Sequence, residues 1–477
     1  MYLQKRLDPQ SQGDHQEVVR AQFFRFLASS GRMKLRPRYL LWLVSSLYAL
    51  AIIMYLKHVQ FQGDTDWLID QTRAALDCAA QGHWIGCRDG GRFPLLQRIP
   101  VIPMIGLGFK NSRVMHCLAL LNVLLVALTV ALARRSLERR SRLGAWGFAA
   151  ILLFGPFLVY AHSSFSEAMA ASASLILVIA CLEGWRGASV FALAFLAGLS
   201  RETAFPFLIV AGCLAFAIRE PMRPLWRADG FAQLGFGITA SLILSIGFNF
   251  FRYDGWTNQE YLDPIYQVHD LTTQANFFLA LLFSPNGGLL FFWPIAVGLL
   301  VYPLVRARSS AWVIPGCWAL LFGLILVFSR LSQPFGWWCW GPRYLVPWIP
   351  VLAFLALAAE PRLFDDIFAR LARTPRALGM GGAILILISF QNAEEAYSGA
   401  LEAWFSQADS VCPAHPEYGS AAYFGCMRYW AWSPHKSVLL KAFDPRLDPR
   451  AFAFACIAGI GMAHFLFRFG AKAKAGA

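Results

Sequence analysis

Two carboxylates one residue apart head a long polar stretch, in the run Phe61-Gln62-Gly63-Asp64-Thr65-Asp66-Trp67. A carboxylate held beside a hydroxyl can take its proton as that hydroxyl attacks an electrophilic carbon. If the displaced group is a phosphate, no strong acid is required. Cations that stabilise the developing negative charge are required instead, and arginine suits phosphate oxygens best. The chain has arginines for that task. Arg343 follows Gly341-Pro342, a turn rigid enough to set its direction, and Arg201 stands beside Glu202 in Ser200-Arg201-Glu202-Thr203. Arg92 and Arg98 follow in the same polar stretch as the two acids, and His162, Glu167, Gln333 and Tyr344 complete the set of groups able to meet a substrate.

Each of these residues also has a structural explanation. Asp64 or Asp66 can cap a helix, and Glu167 can serve the N-terminus of its own helix. Arg201 and Glu202 can satisfy one another. Arg343 can anchor at an interface among Trp337, Trp338, Trp340 and Tyr344.

The elements that must hold these groups are apolar. The chain of 477 residues is 57% hydrophobic and 15% charged, which excludes an ordinary soluble globular protein. Runs of about 20 apolar residues recur, each long enough to cross a bilayer as a helix. The pattern predicts an all-α polytopic membrane protein of about twelve spans. The first is at 39–56, the second at 114–133 and the third at 144–161. A fourth opens at Glu167, two shorter stretches at 189–199 and 204–218 flank Arg201-Glu202, and a seventh runs over 231–251. The eighth follows Ser284-Pro285-Asn286-Gly287-Gly288, the ninth covers 311–329 and the tenth ends near Glu360. The last two are at 378–390 and 451–467. Residues 99–109 are apolar but too short to cross, and with Pro100 and Pro103 read as a re-entrant or interfacial segment.

Charge sets the expected orientation. The net charge of +14 would suggest nucleic acid in a soluble protein. Here, however, 26 of the 42 Lys and Arg residues fall in short segments at alternate span ends, which is the positive-inside pattern of a membrane protein. Both termini are then cytoplasmic, and the groups able to do chemistry collect on the outer side of the inner membrane. The expected organisation is a basic tail at 1–38, a catalytic membrane region at 39–390 with an acidic outer loop at 57–113, an outer loop at 391–450, and a last span and tail at 451–477. No signal peptide is read at the N-terminus.

Five of the ten cysteines lie in predicted spans, and four of the others pair within their own outer segments, Cys78 with Cys87 and Cys412 with Cys426. Disulfides persist in oxidising compartments, so this grouping agrees with the charges. A metal site at Cys78, His83 and Cys87 lacks a fourth ligand. The sequence implies no cofactor and leaves a divalent ion open.

An acidic motif directly after span one, Phe165-Ser166-Glu167 opening span four, Ser200-Arg201-Glu202-Thr203 between two short helices, and Trp340-Gly341-Pro342-Arg343-Tyr344 before a later span together resemble the GT-C-type integral-membrane glycosyltransferases. That class includes the protein O-mannosyltransferases and the lipid A aminoarabinose transferase. The resemblance implies transfer of a sugar from a polyprenyl-phosphate donor, generally with inversion, to an acceptor hydroxyl of a glycan, lipid or protein. It also implies that a first-loop acid is the catalytic base, here Asp64 or Asp66. A multi-span transporter or lipid flippase is the rival reading; it calls for ionisable residues distributed along the spans.

Overall fold

Outside water a backbone must satisfy its own hydrogen bonds, and a helix does so within a single segment. The apolar runs of this chain fold accordingly. The structure is a computed structural model describing residues 64–87, 93–220 apart from 154, 162, 165 and 203, 230–306 apart from 264, 265 and 286, 312–335, 342–366 apart from 365, and 420–432. The spans expected at 39–56, 378–390 and 451–467, and both tails, lie outside the described residues. Among the described residues there is no strand, only an isolated antiparallel bridge between Gln267 and Leu331.

The segment expected as an acidic outer loop is largely helical. Helix α1 (Asp64–Ala80) starts at the first of the two acids, and α2 (Leu95–Gly106) contains Pro100 and Pro103. Among the described residues, three helices are long and apolar enough to cross a membrane: α3 (Asn111–Glu138), α6 (Ser166–Glu183) and α9 (Phe231–Tyr253). The chain is a multi-pass membrane protein. Helix α6 is buried on every side, from Glu167 to Ser172 and from Ser174 to Leu182, as expected of a helix that is apolar all round. By contrast, α3 presents Leu120, Leu124 and Leu128 outward, and α9 presents Phe236, Ile243 and Leu244.

The expected third span is broken in two, α4 (Arg142–Leu153) and α5 (Phe157–Ala161). Pro156 cannot donate a backbone hydrogen bond. The Trp293 indole takes over at the break: its Nε1 donates to the Ile151 carbonyl at 2.8 Å. Only glycine fits at Gly155, because a Cβ there would lie 2.2 Å from that indole nitrogen.

The two short stretches around Arg201-Glu202 are α7 (Gly187–Gly198) and α8 (Ala204–Arg219). Helix α7 lies close along α9, where a Cβ on Gly237 would come within 2.5 Å of the Phe191 carbonyl. Small residues permit such approach between membrane helices.

Helix α10 (Gln259–Leu262) is followed by α11 (Leu271–Phe283). Asp270 caps α11 by accepting from the Thr273 backbone N–H at 2.6 Å. The expected eighth span is α12 (Leu289–Phe292) and α13 (Pro294–Arg306), the ninth is α14 (Val313–Phe328), and the tenth is α15 (Ile349–Ala359). Helix α16 (Ala421–Trp432) lies within the expected outer loop at 391–450, and Ser284 donates to its Ala431 carbonyl.

Candidate active site

The helices gather their buried ionisable groups at one end. Helices α3 and α6 begin there, α7 and α9 end there, and the 201–202 turn joins α7 to α8 at the same level. Glu167, in the first turn of α6, is fully buried. Its Oε1 accepts from Arg201 at 2.5 Å and from Arg343 Nε at 2.7 Å. Two guanidiniums 142 positions apart in the chain thus meet on one carboxylate oxygen. Glu167 Oε2 and Arg201 Nε are buried and have no hydrogen-bond partner among the described residues. Leaving such an atom unsatisfied costs about 1–3 kcal/mol.

Arg201 and Glu202 do not pair with each other. Arg201 turns to Glu167 on α6, whereas Glu202 accepts from Arg252, near the end of α9, at 2.9 Å. Arg252 is fully buried. It also donates to Asn249 and, at 3.3 Å, to the Phe93 carbonyl, and its guanidinium lies 4.3 Å from the Phe248 ring centre. Burial pushes the Glu202 carboxyl above the usual carboxylate range, against the pull of Arg252 and of the Asn258 and Asn249 side chains. Arg98 is buried beside this pair and donates to Phe93 O at 3.3 Å and Gln71 O at 3.2 Å, with Phe248 5.1 Å away. It therefore works as a brace between α1, α2 and α9.

Helix α1 meets the same end through its first residues. Thr65 Oγ1 lies 2.7 Å from Ser164 Oγ, three residues before Glu167. Asp64, whose backbone opens α1, is the residue next to that contact. Asp66 is engaged elsewhere: Asn111 Nδ2 donates to its Oδ1 at 3.4 Å and to Asp70 Oδ1 at 3.2 Å, joining α1 to the start of α3.

Of the other residues singled out in the sequence, Tyr344 stacks on Phe328 with ring centres 5.0 Å apart. Gln333 donates to the Tyr423 hydroxyl at 3.2 Å, tying α16 to the loop before Arg343. Arg92 and His162 lie outside the described residues. Cys78 and Cys87 form the expected disulfide. Cys426 is also disulfide-bonded, and Cys412, its expected partner, lies outside the described residues. No group of three or more potential metal ligands occurs among the described residues.

Two contributors went unnoticed in the sequence. Asn122, a single amide within the apolar run of α3, donates to Ser163 O at 2.7 Å and holds the loop that leads to Glu167. Thr65 was passed over between its two acidic neighbours. A lone amide in a span was the available signal for Asn122, since polar groups at membrane depth are costly.

No family model matches the chain, and no curated protein does. It is similar to two solved structures, both of ArnT from Cupriavidus metallidurans. One, in the apo state, has 16% identity and a TM-score of 0.44, covering 83% of this chain and 76% of that one. The other, bound to undecaprenyl phosphate, has 16% identity and a TM-score of 0.41 over the same shares. This likeness carries no residue's role from those proteins to this chain.

Proposed function

We propose that the protein is a membrane glycosyltransferase of the GT-C kind, moving a hexosyl or pentosyl group from a polyprenyl-phosphate donor to an acceptor hydroxyl. What supports this above all is the convergence of Arg201 and Arg343 on buried Glu167. The carboxylate aims two planar guanidiniums into one place, and a guanidinium is the side chain best shaped to meet phosphate oxygens. The orphaned Arg201 Nε is a donor of the type a phosphate satisfies, and Glu167 Oε2 is an acceptor of the type a sugar hydroxyl satisfies. The convergence of these cations on one point also favours a binding pocket over a relay of charges along the spans.

In the reaction, the acceptor oxygen bonds to the anomeric carbon while the bond from that carbon to the phosphate oxygen breaks. The bonding pair leaves with the phosphate, whose charge Arg201 and Arg343 stabilise. The hydroxyl proton passes to a carboxylate, and no cofactor enters. Asp64 is the preferred base. Its backbone stands next to the Thr65–Ser164 contact, three residues from Glu167, whereas the Asp66 carboxylate already accepts from Asn111. The site faces the outer side of the inner membrane, because the arginine-rich segment that closes α3 belongs to the opposite end.

The test is transfer of a labelled sugar from a polyprenyl-phosphate donor by membranes carrying each variant. D64N is expected to lower kcat by about 100-fold or more, and D66N to leave most of it. Full activity in both would remove these acids from the role of base. Uptake of substrate by proteoliposomes without any glycosyl product would identify a transporter instead.

A further inference from the structure

Arg201 and Glu202 are consecutive, yet they serve two separate buried ion pairs on two different helices. Both side chains start from the backbone of one short turn, so a shift of that backbone moves both origins. Whatever fixes Glu202 therefore also fixes the backbone from which Arg201 reaches Glu167. Arg252 is the charged partner that holds Glu202, with the Asn258 and Asn249 side chains beside it. It has no exposed surface, and its guanidinium donates to Glu202, Asn249 and the Phe93 carbonyl while lying over Phe248. The same Phe93 carbonyl accepts from Arg98, which also bonds the Gln71 carbonyl of α1. The backbone adds a parallel link, Leu96 N–H to Leu199 O at 3.1 Å. One guanidinium thus serves as the common reference for the 201–202 turn and for the segment that braces α1.

We propose that Arg252 is a positioning residue that sets the pose of Arg201 toward the donor phosphate through the Glu202 ion pair. This rests on the reading of Arg201 as a phosphate-binding group. Arginine is required because its planar fork reaches three acceptors at once, and a lysine ammonium is a single point charge.

Two double-mutant cycles test this. In the first, R252M, R201M and R201M/R252M are assayed for transfer from the polyprenyl-phosphate donor. A residue acting through Arg201 can lose nothing further once Arg201 is gone. R252M is expected to lower kcat/KM by roughly 10-fold or more, mainly through the donor KM, with R252K in between and the double variant no worse than R201M. A double variant whose loss is the product of the two single losses would overturn the proposal, as would full activity in R252M. Should R252M fail to fold, R252K replaces it in the same cycle.

The second cycle needs no substrate. Melting temperatures are measured for R252K, E167Q and the pair. Coupling through the 201–202 turn predicts shifts that do not add, and additive shifts count against it. If the wild-type protein transfers no sugar from any polyprenyl-phosphate donor, the proposed function fails while this second cycle still decides the positioning role.

Discussion

The two ends of the helix bundle both pair arginines with acids, but in opposite ways. At the end bearing Glu167, the acid is fully buried and its partners lie 34 and 176 residues away in the chain. The Arg252–Glu202 pair there spans 50 residues. At the other end, Arg134 and Glu138 are four residues apart on α3, and Arg219 pairs with the adjacent Glu220. Glu183 has a longer reach, to Ser136 and Arg139, yet the Arg139 side chain is 59% exposed. A pair with an exposed member, such as Arg139–Glu183, and a pair within one helix, such as Arg134–Glu138, contribute little and are screened by salt. Buried pairs are costly to assemble, and breaking one strands a charge. The costly buried charges are therefore concentrated at the first end, and the cheaper pairs at the second.

That contrast can be broken, and the sharpest attempt is E167Q. Removing the shared partner of Arg201 and Arg343 should destabilise the protein by about 3–5 kcal/mol, seen as a large fall in thermal unfolding temperature in detergent. An effect below about 1 kcal/mol would mean that water or other groups already satisfy the two arginines there. E183Q, at the opposite end, should cost only about 1 kcal/mol, and its cost should shrink in high salt while that of E167Q does not. Weaker still is E138Q, expected within about 0.5 kcal/mol as a single pair along one helix.

Asp270 supplies a local comparison. It is exposed, and its bonds to Thr273 hold its carboxyl below the usual carboxylate range. A depressed value means that its contribution is full at neutral pH and is lost as pH falls through the folded-state value. D270A should thus cost about 1 kcal/mol at pH 7 and become indistinguishable from wild type in acid. A cost that persists in acid would show that the cap works without its charge.

Much of this was legible in the sequence, for physical reasons. Long uncharged apolar runs admit one solution out of water, so α3, α6 and α9 begin and end within a few residues of where hydropathy and arginines put them. The Cys78–Cys87 pair was readable because the two residues share one short polar segment. Other elements were not readable. Helix α1 looked like a loop because its polar residues carry no apolar run, and its helicity comes from packing on α2 and α3. The break at Gly155-Pro156 was masked by hydropathy, since the residue that stabilises it, Trp293, is far away in sequence.

At the site the division is similar. Residue types identified arginines and acids as the groups with chemical potential, and charge placement put them on one side. Sequence adjacency then suggested the wrong partners. Arg201 and Glu202 are neighbours in the chain and belong to different ion pairs, because each points to a different helix across a two-residue turn. Asp64 and Asp66 could not be ranked from their types, and the contacts of Thr65 with Ser164 and of Asp66 with Asn111 are what distinguish their surroundings. The sequence alone determined which segments leave water and which groups are too costly to bury without purpose, because both depend on composition and spacing along the chain. Which charges meet was decided only by the tertiary structure, because an ion pair depends on distance in space, and the helices that supply it are brought together by apolar packing.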